Sequence, residues 1–171
     1  MLADVQYNRQ ARQYEIADAL TGEVVETFPS GQKAAAQQYA VSLANPRLAR
    51  IIQTEILTKR PYLQARAWKA AELVERRAVV EFVSGPYFAT VSGEGDTYGL
   101  GRDEAGGLTC TCADFYGFGA PMDESGQRWC KHLLAHQFVM RLRKRRCYHC
   151  EKLTRAEDEV CPHCGQDVTP F

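Results

Sequence analysis

Apolar and polar positions near the start of the chain follow a strand-like pattern. Gln13-Tyr14-Glu15-Ile16-Ala17-Asp18-Ala19-Leu20 and Glu23-Val24-Val25-Glu26-Thr27-Phe28 are β-prone, and Thr21-Gly22 between them predicts a hairpin. Pro29-Ser30-Gly31 breaks the second strand. Ser30 is then placed as the N-cap of a helix over 34–43, a segment rich in good helix formers. Asn45-Pro46 ends that helix and starts another, in which Leu48, Ile51, Ile52, Ile56 and Leu57 recur at helical spacing. Pro61 opens a third helix carrying Leu63, Ala67, Ala70, Ala71, Leu73 and Val74. From Ala78 the pattern changes to short β segments at 78–83, 87–91 and 97–100. Turns rich in glycine and acidic residues separate them, which predicts a β-meander leading to Cys110.

Composition narrows the class. Of the 171 residues 45% are hydrophobic, enough for a globular core. No apolar run approaches the ~20 residues needed to cross a bilayer, and the first residues lack a basic patch followed by an apolar run. These features predict a cytoplasmic protein without a membrane partner, nucleoid-associated in a prokaryote and nuclear in a eukaryote.

The seven cysteines all lie at or after Cys110, which argues against a disulfide framework spread along the chain and for metal ligation. Cys110-Thr111-Cys112 is followed after seventeen residues by Cys130-Lys131-His132, at the start of an apolar helix. Cys147-Tyr148-His149-Cys150 is followed after ten residues by Cys161-Pro162-His163-Cys164-Gly165. A structural zinc ion takes four sulfur or imidazole ligands, and ligand pairs close in sequence lower the entropy of assembling them. The two groups use every cysteine, so two structural zinc ions are expected: one on Cys110, Cys112, Cys130 and His132, the other on Cys147, Cys150, Cys161 and Cys164. His136 is four residues from His132, but the residue after His132 is Leu133 where zinc hydrolases of this spacing carry Glu, so an ordinary helix histidine is expected. The redox reading of C-x-x-C lacks a surrounding βαβ pattern. No nucleophile elbow, phosphate loop or dinucleotide fingerprint appears, so no enzyme and no small-molecule substrate are expected.

The strand ending in Cys110-Thr111-Cys112-Ala113-Asp114-Phe115 and the helix start Cys130-Lys131-His132-Leu133-Leu134-Ala135 resemble the SWIM zinc-finger family, over about residues 79–142. The spacer, with Tyr116-Gly117-Phe118-Gly119-Ala120-Pro121, is longer than in a minimal finger. The second group resembles a zinc ribbon, a small hairpin clamped by metal. The expected fold is therefore α+β in three parts: an N-terminal hairpin and helices over 1–77, a meander and SWIM finger with its helix over 78–146, and a small ribbon over 147–171. The resemblance implies a setting among chromatin-remodelling ATPases, Mutator-class transposases and recombination accessory factors.

Charge then points to a partner. The 21 basic and 21 acidic residues cancel overall, but residues 128–155 carry nine cations and one acid, and residues 46–77 carry eight cations and three acids. The second block is read mainly as solvated helix faces. In the first, Arg141, Arg143, Lys144, Arg145 and Arg146 exceed what a helix C-terminus needs to complement its dipole. With Lys131 they are the candidate contacts to a phosphate backbone, with DNA expected before RNA. The alternative is an adaptor that docks onto a larger nucleic-acid-processing complex through the acidic meander and the Tyr116-Gly117-Phe118 loop.

Overall fold

The computed structural model describes residues 3–82, 85–93, 95–117, 119–146, 149–150, 152–155 and 160–166. Strands β1 (Ala3–Asn8), β2 (Gln13–Asp18) and β3 (Val24–Pro29) form an antiparallel sheet in that order. The expected hairpin is thus the inner and one outer strand of three. The missed β1 alternates apolar and polar residues, pairing Val5 with Ile16 and Tyr7 with Tyr14, whose rings lie 4.9 Å apart.

Helix α1 (Lys33–Ala44) covers this sheet, burying Ala36 and Ala40 against Ile16. Its N-cap is Gln32 rather than Ser30, with no side-chain cap bond, because the Gln32 amide closes a turn on the Pro29 carbonyl (2.8 Å) and delays the helix start. Asn45 ends α1 and caps α2 (Pro46–Ile51), its side chain accepting from the Leu48 amide at 2.9 Å ahead of Pro46 at the first turn. The second helix, expected to run from Pro46 through Leu57, is less regular. After Ile51 the backbone widens into a π-turn (Ile52–Leu57), where the Thr58 amide and hydroxyl both donate to the Gln53 carbonyl. Ile52 and Ile56 stay buried through it. Pro61 opens a short 3-10 turn (Pro61–Leu63) that runs into α3 (Gln64–Glu75).

The meander follows as β4 (Val79–Glu81), β5 (Ala89–Ser92), β6 (Thr97–Arg102) and β7 (Leu108–Cys110), all antiparallel and in sequence order. A short helix, α4 (Ala113–Tyr116), leads through the spacer to α5 (Lys131–Leu142). Strands β8 (Lys144–Arg146) and β9 (Leu153–Arg155) form a two-stranded antiparallel sheet, so the segment after α5 is a strand and not a helix end and linker.

The main core draws on residues from both sides of position 77. Ala67, Trp68, Ala70 and Ala71 on α3 pack with Leu133, Leu134, Ala135 and Phe138 on α5 and with Ala89, Val91 and Leu100 of the meander. The alanines on α3 let the two helices approach closely while Trp68, 1% exposed, fills the space beside them. Each large side chain buried here contributes about 1.5–3 kcal/mol. Cys110, Cys112 and Cys130 belong to the same buried cluster, so the metal-ligand candidates are part of the core that orients α5. No helix among the described residues is long and apolar enough to cross a membrane.

Candidate metal centres

The first cluster lies where one strand ends and two helices begin. Cys110 is the last residue of β7, Cys112 is the N-cap of α4, Cys130 is the N-cap of α5, and His132 is the second residue of α5. Both capping residues have extended backbones, which turns the chain sharply into each helix and aims the sulfurs inward. One ligand atom from each of the four residues lies within 4.8 Å of the others, and all four residues are buried. The Cys110 Sγ to His132 Nδ1 distance is 3.7 Å. Tetrahedral bonds of about 2.0–2.3 Å to zinc place neighbouring ligand atoms roughly 3.5–3.8 Å apart, so this donor set and spacing fit a metal ion. Nδ1 faces the sulfurs, leaving Nε2 buried without a hydrogen-bond partner, while the Tyr98 ring stacks on the imidazole at 4.3 Å and holds its plane.

The electrostatics are those of crowded thiols. Contact with the Cys112 sulfur, then with Cys130, pushes the Cys110 thiol well above its ordinary value, while the Cys110 and Cys130 contacts pull Cys112 far below. Cys130 is pushed up to about 11: its contact with Cys110 lowers it, but Cys112 and burial outweigh that. The amides of Phe115 and Leu133 favour the Cys112 and Cys130 thiolates, as expected at helix N-termini. Mutual repulsion of crowded thiolates is what a bound cation would relieve.

The second cluster brings together Cys150, Cys161 and Cys164. Cys150 and Cys161 sulfurs are 3.7 Å apart, a tetrahedral-edge separation rather than a disulfide bond, and the His163 amide donates to the Cys161 sulfur at 3.4 Å. Gly165 takes the left-handed conformation (φ 71°) that the turn behind Cys164 requires, with its amide closing on the Cys161 carbonyl at 2.9 Å. Cys147, the expected fourth ligand, lies outside the described residues, as do Tyr148 and Phe118. His149 and His163 are exposed and outside the ligand group. His136 is also outside both groups. Its Nε2 lies 3.1 Å from the Glu81 carboxylate and its ring packs on Phe88 at 4.9 Å.

The cationic candidates are dispersed. Arg141 approaches Glu55 at 3.9 Å, and Lys59 pairs with the same carboxylate at 3.0 Å; Lys59 first, then Arg141 and Arg60, hold Glu55 below the usual carboxylate range. Arg143 pairs with Glu81, beside His136. Lys144, Arg145 and Arg146 form β8, paired in register with Arg155, Thr154 and Leu153. Lys131, half-buried at the start of α5, lies instead on a separate cavity with Lys69, Arg76 and Arg77.

Sequence reasoning missed the contacts that hold the loop between α4 and α5. Arg66 on α3 forks onto Asp114 and also donates to the Gly119 carbonyl. Asp123 accepts from the Trp129 indole (2.7 Å) and from Ser125 and Gln127 amides, and the Gln127 side chain bonds Leu108 on β7. The only signal available was the local Asp-x-Ser-x-Gln pattern of a turn; the partner Leu108 is nineteen residues away. Against family models, curated proteins and solved structures, the chain has no match.

Proposed function

We propose that the chain is a non-catalytic accessory module, held together by two structural zinc ions, that binds nucleic acid through the basic strand between them. The observation that carries the reading is the placement of β8: Lys144-Arg145-Arg146 leaves the helix anchored by the buried Cys110, Cys112, Cys130 and His132 group and pairs with β9 beside the Cys150, Cys161 and Cys164 group. When bound, zinc would supply coordinate bonds that cross-link β7 to α5 in the first cluster and both knuckles in the second. Cys147 is the proposed fourth ligand there, and a SWIM-like finger followed by a ribbon is the proposed family setting. Thiolate and imidazole donors suit zinc better than the oxygen-seeking calcium or magnesium.

A backbone held in a paired strand favours phosphate binding because less chain order must be created on association. The neutralisation of Arg141 and Arg143 by Glu55 and Glu81 narrows the proposed contact set to β8 and its surroundings. Replacing Lys144, Arg145 and Arg146 by serine in the zinc-loaded chain should weaken binding to a labelled DNA oligonucleotide and reduce the slope of log affinity against log salt by about 2–3. Affinity insensitive to salt, or equal in the variant, rejects the reading.

The adaptor reading keeps one supporting observation: Tyr116 is 64% exposed and Met122 51% exposed on the spacer. Tyr116→Ser with Met122→Ser, intact toward DNA but no longer retained by a nucleic-acid-processing complex isolated from the native host, would favour it.

A further inference from the structure

We infer that the cavity between the C-terminal end of α3 and the start of α5 is a phosphate-binding subsite, formed by Lys69, Arg76, Arg77 and Lys131. Its assignment to the backbone of a bound strand rests on the nucleic-acid reading above; the chemistry of the subsite does not.

The cavity has a volume of about 670 Å³, within the range that accepts a nucleotide-sized ligand. It joins the two basic blocks of the sequence, since Lys69, Arg76 and Arg77 come from residues 46–77 and Lys131 from residues 128–155. None of these four cations has an ion-pair partner among the described residues, in contrast to Arg66, Arg141 and Arg143. Among the described residues, two carboxylates also reach the cavity, Glu72 and Asp96. Glu72 accepts from the Gln37 side chain at 3.3 Å and Asp96 from the Tyr98 hydroxyl at 3.4 Å. Among the described residues that line it, four cations stand against two carboxylates, an excess of positive charge that suits phosphate oxygens.

Arg77 supplies the independent argument. The α3 terminus closes with the Ala78 amide on the Leu73 carbonyl (2.9 Å) and the Arg77 amide on the Val74 carbonyl (3.0 Å), a Schellman arrangement. Arg77 occupies its left-handed position at φ 53°, where glycine is the unstrained choice. The strained backbone is kept together with a guanidinium on the cavity, where arginine's planar fork suits phosphate oxygens. Lys131 lies in the first turn of α5 between Cys130 and His132, two of the four buried residues of the first cluster.

The test uses the zinc-loaded full chain, the variant Arg77→Gly with Lys131→Gln, and two probes: adenosine monophosphate followed by amide chemical shifts, and a labelled single-stranded DNA followed by anisotropy. The wild type should shift the amides of residues 76, 77 and 131 on adding the nucleotide. The variant should lose that response and bind the DNA about tenfold or more weakly, the effect of losing one or two charge-assisted contacts. Arg77→Gly alone should not lower the melting temperature, because it removes strain, so lost binding cannot be ascribed to unfolding. Loss of nucleotide binding with DNA affinity unchanged keeps the phosphate subsite and assigns it to a free phosphorylated ligand. No nucleotide response in the wild type, or equal binding of both probes by the variant, overturns the inference. The β8 triple variant is read in parallel: if it alone weakens DNA binding, the nucleic-acid reading stands without the subsite.

Discussion

Arg66 and Asp114, forty-eight residues apart, meet in a two-pronged ion pair, Nε to Oδ2 at 3.2 Å and Nη2 to Oδ1 at 3.0 Å. Asp114 follows the Cys110-Thr111-Cys112 turn, and Arg66 belongs to the helix that packs on α5. The pair thus fastens the first ligand turn to the helical layer. Arg66→Lys keeps the charge but not the planar fork, and should cost about 1 kcal/mol in chemical denaturation. It should also speed loss of metal to a competing chelator. Metal loss at the wild-type rate would mean that the fork plays no part in holding the ligands.

Gln127 acts as a substitute strand on the open edge of β7. Its side-chain oxygen accepts from the Leu108 amide and its nitrogen donates to the Leu108 carbonyl, both at 2.8 Å. Gln127→Ala should destabilise by about 1–2 kcal/mol. Gln127→Glu should be worse despite its shape, because a carboxylate would face the Leu108 and Arg128 carbonyls that the amide now serves. Urea midpoints in that order are the expected result.

The two metal centres should differ in their structural reach. Cys130 is fully buried within the main core, whereas among the described residues Cys161 packs with Cys150 and Cys164. Elemental analysis should give about two zinc ions per chain, and either Cys130→Ser or Cys161→Ser should leave about one. The first variant should abolish the cooperative melt of the main core and the second should leave it nearly unchanged. Equal loss of melting in both would show the centres to be coupled.

His136 provides a pH test. Burial, and secondarily the Arg102 guanidinium, hold its pKa below the ordinary value of 6.5. The folded chain therefore keeps the ring neutral where the unfolded chain takes up a proton. Its contribution to stability is present above pH 6.5 and is lost as pH falls through the lower folded value. The ring resonances of His136 in the zinc-loaded protein should titrate below 6.5. A midpoint above it would mean that attraction to Glu81 at 3.1 Å overrides burial.

The meander, the first candidate ligand group and three of the four residues expected in the second were legible because their signals are local. Turn glycines, alternating apolar residues and paired cysteines act over a few positions, and Asn45-Pro46 carries its own cap. The start of α1 was misread because a local Pro29 to Gln32 turn, its four residues all exposed, displaced the cap expected at Ser30. β1 was missed because its turn signal is a single Asn8, accepting from the Gln10 and Ala11 amides with no glycine or proline beside it, and six alternating residues become a strand only when β2 offers its edge.

The sequence by itself determined the chemistry of this protein: which residues can ligate metal, that they fall into two groups, and that cations concentrate near them. These follow from residue type and short spacing. Only the tertiary structure decided which charges are free to act. It joined Glu55 and Glu81 to Arg141 and Arg143, and gathered Lys69, Arg76, Arg77 and Lys131 around one cavity. Those pairings span tens of residues, and Coulomb attraction depends on distance in space, which no local pattern of residues encodes.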